Sequence, residues 1–183
     1  MSEVVVRLPD AEATRDYGRA LARLLRAGDL LVLTGDLGAG KTTLTQGLGA
    51  GLGVRGQVAS PTFVIAREHP PLPRADGTLG PALVHVDAYR LGSLDEVDAL
   101  DLDAGLDESV TVVEWGAGWV EGLAEDRLEV ALQRPRGGTI AASGVADEPA
   151  DADDDGGAGE RVATVRGIGA RWADVVLPDG VAG

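Results

Sequence analysis

The sequence predicts a three-layer α/β fold with a mixed central sheet, helices on both faces and a C-terminal antiparallel hairpin. Three observations predict it. After Leu30, short apolar runs alternate with helix-patterned segments, the order of strands joined by covering helices. Two of those runs, Ala82–Asp87 and residues 110–114, stop on an acid, as strands do whose ends face a ligand crevice. Residues 127–134 and 161–166 both alternate apolar and polar side chains, so they read as the two arms of a hairpin with a long loop.

Taken in order, residues 4–8 read as a first strand. Asp10 is placed to cap a helix over residues 11–26, whose buried face is Tyr17, Leu21, Leu24 and Leu25, with Gly28 at its end. Leu30–Thr34 is a short apolar strand, residues 35–40 a tight glycine loop, and Lys41–Leu52 a second helix stopped by Gly53. An extended stretch over 57–68 is broken at Ser60-Pro61-Thr62, and a Pro- and Gly-rich loop fills 69–81. Ala82–Asp87 and residues 110–114 are strands. Between them Ser93 and Glu96 have capping-box spacing for a short helix. Residues 119–123 suit a helical turn, and residues 169–172 pack the end of the chain down.

Composition bounds the function. A length of 183 residues suits a single domain spanning 1–183. With no cysteine there is no disulfide, thiolate metal site or thiol nucleophile, and the two histidines are too few for a zinc cluster without carboxylate help. No apolar run approaches a membrane span, and Glu3, Arg7 and Asp10 interrupt any signal-like N-terminus, so a soluble cytoplasmic protein is expected. The net charge of −14 disfavours direct binding of nucleic acid, so any RNA is expected to be held by a partner. Residues 135–160 are mostly Gly, Ala and acids, including Asp147, Glu148, Asp151, Asp153, Asp154, Asp155 and Glu160. They read as a disordered acidic insertion, a solvated loop in preference to a docking segment.

Lysine usage points to the chemistry. Of sixteen Lys and Arg residues, Lys41 is the one lysine. A sequence that uses arginine for general surface charge keeps lysine where a compact ammonium is needed. Lys41 lies in Gly35-Asp36-Leu37-Gly38-Ala39-Gly40-Lys41-Thr42, which fits the P-loop pattern between a strand and a helix. That context makes the fold P-loop NTPase-like. The loop amides of Asp36, Leu37, Gly38, Ala39 and Gly40 and the helix N-terminus suit phosphate oxygens, and Lys41 suits the β- and γ-phosphates. The Thr42 hydroxyl suits Mg²⁺, and Thr43 bonds phosphate from the first helical turn. A nucleoside triphosphate with Mg²⁺ is therefore the expected ligand.

Such a loop needs a second holder for magnesium. Asp87 is the choice, acting through water, with Glu114 polarising the attacking water or joining the metal shell. Either acid also reads as a solvated strand end. Thr62 reads as a γ-phosphate-sensing switch residue or as part of a proline-fixed turn. Phe63 and His85 read as packing residues in preference to site residues. Trp115 reads as a site-shaping side chain, a partner contact or core. Arg90 reads as a phosphate or partner contact or an ordinary surface arginine. Thr14 and Tyr17 are candidates for the adenine pocket by position only.

Taken together, the glycine loop with Thr42-Thr43, Ser60-Pro61-Thr62-Phe63, His85-x-Asp87-x-Tyr89-Arg90 and Glu114-Trp115 resemble the bacterial TsaE family, the ATPase subunit of tRNA threonylcarbamoyladenosine modification. The motifs stand in the family's order from Gly35 to Trp115, and a weaker likeness runs from Val4 to about Trp172. The resemblance implies ATP binding and slow hydrolysis in support of a TsaB–TsaD pair, in which TsaD transfers threonylcarbamoyl to adenosine 37 of tRNA. It implies phosphate and Mg²⁺ binding by Lys41, Thr42 and Thr43, a switch role for Thr62, a Walker-B-like role for Asp87 and an essential glutamate at Glu114. Residues 146–160 look like an insertion relative to compact members.

Three rivals remain on sequence. A P-loop small-molecule kinase usually supplies lid arginines, and Arg90 is the one arginine between Asp87 and Glu114. A GTPase would need an Asn-Lys-x-Asp guanine reader, and the chain has no asparagine. A nucleotide-gated adaptor would bind ATP without turnover.

Overall fold

The computed structural model describes residues 2–59, 66–88, 107–116, 118, 124–134 and 159–180. Seven strands form one sheet: β1 (Ser2–Leu8), β2 (Leu30–Thr34), β3 (Ala66–His69), β4 (Ala82–Asp87), β5 (Ser109–Glu114), β6 (Arg127–Gln133) and β7 (Arg161–Ile168). Their spatial order is β1-β7-β6-β2-β5-β4-β3. The four central strands β6, β2, β5 and β4 are parallel, and β7, β1 and β3 add antiparallel edges. The sheet is therefore mixed, and β6 and β7 pair as the expected hairpin arms.

Two helices, α1 (Ala11–Ala22) and α2 (Lys41–Leu52), pack against each other and against one face of the sheet. Strand alternation assigns the faces. Leu31, Leu33, Leu83, Val110, Val112, Leu128 and Val130 join Tyr17, Leu21, Leu44 and Leu48 in the main core. Leu30, Val32, Val86 and Val113 form a second buried cluster on the opposite face. Among the described residues both helices lie on the first face. The helix expected near Ser93, the turn at 119–123, and all but Gly159 and Glu160 of the acidic stretch 135–160 lie outside the described residues.

The first helix is shorter than its periodicity predicts. Asp10 caps it as expected, accepting the Ala13 N–H at 2.8 Å. It ends at Ala22, not at residue 26, and the Arg23, Leu24 and Leu25 amides each bond three residues back. The cause is tertiary. The Arg26 amide is taken by the Asp29 carboxylate at 2.9 Å, and Asp29 is held by Arg171 from the far end of the chain. Arg171 also donates to the Leu24 carbonyl at 2.6 Å. Gly28 takes a φ of 92° and its amide bonds Ser109 of β5, so it turns the chain into the sheet instead of ending the helix.

The helix pair approaches closely because glycine sits at the crossing. A Cβ on Gly18 would strike the Leu44 carbonyl, and one on Gly47 would strike the Arg15 carbonyl. Both obstacles are backbone, so a side chain there must move a whole helix. Gly47→Ala should gain roughly 1 kcal/mol of helix propensity and still lose about 1–3 kcal/mol net to overpacking. Gly180→Ala, with open space around it, should stay within about 0.5 kcal/mol of the unaltered chain. Urea unfolding of the two variants checks this; equal stability would mean that the helix pair accommodates the methyl group.

Candidate nucleotide-binding site

β2 is the middle strand of the mixed sheet, with parallel neighbours on both sides, and its C-terminal end runs into the glycine loop that starts α2. Parallel neighbours bring the ends of β5 and β4 to the same edge, where Glu114 and Asp87 lie in register with each other. Topology therefore gathers the loop and both strand-end acids, as sequence expects of a ligand crevice.

The loop needs glycine. Gly40 caps α2 at a φ of 103°, a left-handed conformation in which no side chain caps the helix. Gly35 takes a φ of 141° and passes so near the Leu132 carbonyl of β6 that a Cβ would collide with it. The first amides of α2 thus remain available to an anion, and the helix dipole favours one. Leu37 stands at the tip, 90% exposed, between Asp36 and Gly38, while Ala39 turns into the core.

Lys41 is only 5% exposed. Its ammonium folds back onto the loop, donating to the Gly35 carbonyl at 2.9 Å and the Asp36 carbonyl at 3.0 Å. It also lies 3.9 Å from the centre of the Trp115 ring. Burial pushes its pKa below the ordinary lysine value, while Glu114, Asp87 and Asp36 oppose the shift. Trp115 has a φ of 63°, costly for a bulky side chain, and its amide is fixed to the Leu33 carbonyl of β2 at 3.1 Å. Of the readings left open for Trp115, its ring belongs to the site.

Glu114 is 3% exposed. Its Oε1 accepts the Thr42 hydroxyl at 3.2 Å and lies 2.8 Å from Nε2 of His85. The expectation that His85 merely packs is therefore corrected: it bonds the acid. Asp87 is half-buried and acts on Lys41 electrostatically. Thr43 is buried in the first turn of α2. Thr62, Phe63, Tyr89 and Arg90 lie outside the described residues. Thr14 is buried against the loop, its methyl 3.8 Å from where a Gly40 Cβ would lie. Tyr17 belongs to the core, its hydroxyl donating to the Pro178 carbonyl at 2.9 Å.

Two arginines went unremarked in sequence. Arg161, buried at the start of β7, lies 3.0 Å from the position of a Gly40 Cβ, and Arg134 flanks Gly38. Burial first, and Arg134 second, lower the Arg161 pKa. The hairpin register that brings both ends to the loop was the only available signal.

The donor set suits Mg²⁺. The Thr42 hydroxyl and the carboxylates of Glu114 and Asp87 are hard oxygens, the kind this ion prefers. No group of three or more His, Asp or Glu side chains forms a cage among the described residues. A phosphate-bound Mg²⁺ does not require one, since one or two protein oxygens suffice beside phosphate and water.

A family model for TsaE, the threonylcarbamoyl adenosine biosynthesis protein, matches residues 8–139. The chain belongs to the TsaE family. A TsaE from Streptomyces coelicolor is 59% identical over 160 residues, covering 87% of this chain and 93% of the relative. A TsaE from Mycobacterium tuberculosis is 49% identical over 133 residues, covering 69% of this chain and 77% of the relative. The crystal structure of Bacillus subtilis YdiB is 30% identical and covers 93% of this chain and 89% of its own, with a TM-score of 0.62. The TsaE family is thus shown by sequence, and the mixed α/β fold is shared with a solved structure. No helix among the described residues is long and apolar enough to cross a membrane.

Replacing the buried ammonium tests the site directly. Lys41→Ala should abolish binding of a fluorescent ATP analogue while the thermal melt remains cooperative. Unchanged nucleotide affinity would remove Lys41, and with it the loop, from phosphate binding.

Proposed function

We propose that this TsaE-family chain is a Mg²⁺-dependent ATPase subunit acting with a TsaB–TsaD pair in threonylcarbamoyl modification of adenosine 37 in tRNA. It supports turnover and does not itself transfer the group. The observation that carries the ATPase reading is the bond from the Thr42 hydroxyl to the buried Glu114 carboxylate, beside the N-terminus of α2 and the Lys41 ammonium. The pathway is supported by membership of the family, and the names of the relatives carry the same term.

The roles follow from chemistry. The loop amides and Lys41 take the phosphates, and the Lys41 ammonium exchanges two carbonyl partners for phosphate oxygens. Thr42 would hold Mg²⁺ together with Asp87 acting through water, and the ion would supply neutralisation of the β- and γ-phosphate charge. Glu114 orients the attacking water or completes the metal shell, and Thr62 senses the γ-phosphate. With a net charge of −14 the chain reaches tRNA only through its partners. Low turnover alone, with a coupled partner complex, fits a site whose parts serve gating as much as chemistry. The proposed setting is the cytoplasm.

Two measurements test the reading. Glu114→Ala should retain nucleotide binding and lose phosphate release, by on the order of 10²-fold or more if the acid orients the water; unchanged hydrolysis would take Glu114 out of the chemistry. A pull-down with the TsaB–TsaD pair should succeed and respond to ATP. Failure to associate with or without ATP would count against the partnership, and ATP-dependent labelling of a small molecule would favour a kinase.

A further inference from the structure

We propose that His85 is a positioning residue for Glu114: its ring holds the carboxylate oxygen that faces Thr42, and so sets the Mg²⁺ response of the site. The inference rests on the nucleotide reading above and concerns a residue for which packing was the preferred reading over a place in the site.

Strand register produces the contact. β4 and β5 run parallel, with His85 opposite Val112 and Asp87 opposite Glu114. Positions 83, 85 and 87 share one face of β4, the face that α2 covers, as do 110, 112 and 114 on β5. His85 is fully buried, with Nε2 2.8 Å from Glu114 Oε1. An ionised carboxylate can only accept, so the ring must carry its hydrogen on Nε2. Among the described residues, Nδ1 is then left buried with no hydrogen-bond partner.

That orphaned nitrogen argues against a filler role. His85 is fully buried on the core face of β4, two residues from Leu83 and opposite Val112, both members of the main core. An apolar side chain of similar size would fill the same space with no buried polar atom left over. The imidazole is explained by the bond that it makes. Its acceptor atom is the same Oε1 that takes the Thr42 hydroxyl at 3.2 Å. One oxygen is thus tied to β4 on one side and to the first turn of α2 on the other. When Thr42 turns its oxygen toward a metal, the His85 bond keeps the carboxylate in place. Groups that orient a metal-shell ligand commonly matter about 10–100-fold when removed.

Two variants of the full chain separate positioning from packing. His85→Phe keeps the ring shape and removes the donor, while His85→Gln offers an amide N–H at a reach close to that of Nε2. Binding of a fluorescent ATP analogue is titrated with Mg²⁺ and in EDTA, alongside phosphate release and thermal melting. For His85→Phe the Mg²⁺ needed for half-maximal effect should rise, and turnover should fall, each by about 10–100-fold. Affinity in EDTA should stay within about twofold, as should both properties of His85→Gln under all conditions. Wild-type Mg²⁺ response and turnover in a folded His85→Phe chain would overturn the proposal. So would a His85→Gln chain that melts normally yet is as impaired as His85→Phe, or loss of EDTA binding in step with melting temperature. If the unaltered chain binds no nucleotide, the nucleotide reading fails first and this inference with it.

Discussion

Burying one ammonium group organises the centre of this molecule. Removing an ammonium from water costs several kcal/mol unless the surroundings replace its hydration. Here two loop carbonyls, the face of Trp115 and three nearby acids do so. Each partner comes from a different part of the fold: the loop after β2, the turn after β5, and the ends of β4 and β5. The residues can meet only if those strands are parallel neighbours with their C-terminal ends aligned, which is the register observed. The single lysine of the chain therefore depends on the sheet, and the loop conformation depends on the lysine.

The loop is also braced from behind. Gly35 fits under β6 and Gly40 against Arg161 of β7, so the hairpin forms a wall of the site. α2, which carries Thr42 and Thr43, is held against α1 by glycines that bring the two backbones together. At the mouth of the loop Leu37 stands exposed at the tip. Such bracing preorganises the loop, and a preorganised loop spends no binding energy on its own ordering.

Much of this was legible in the sequence, for definable reasons. β2, α2 and β4 begin and end where the sequence says, because glycines or acids punctuate them sharply. The loop was legible because its spacing in a strand–loop–helix context is restrictive, and the placement of both acids beside it because each ends an apolar strand. The end of α1 was not. Leu24 and Leu25 continue the helical pattern, but Asp29 takes the Arg26 amide and is itself fixed by Arg171, 142 residues along the chain. No local window contains that contact. The bond from His85 and the approach of Arg161 were hidden likewise, since each needs the register of two strands distant in sequence. The left-handed backbone at Trp115 has no composition signal, because residue type argues against it.

Sheet order also divides the labour of the two acids. β5 lies beside β2, and β4 lies one strand further out. Glu114 therefore reaches the first turn of α2 and bonds Thr42, while Asp87, although level with Glu114 along the strands, acts on Lys41 through space. The backbone reinforces this arrangement. The Ala88 amide bonds the Glu114 carbonyl at 2.9 Å, and the Trp115 amide bonds the Leu33 carbonyl at 3.1 Å. The ends of β4, β5 and β2 are thus laced together beyond their acids. Lys41 is held at this edge among two loop carbonyls, the Trp115 ring and three carboxylates. The most constrained of those carboxylates is Glu114, because its one oxygen already serves both His85 and Thr42.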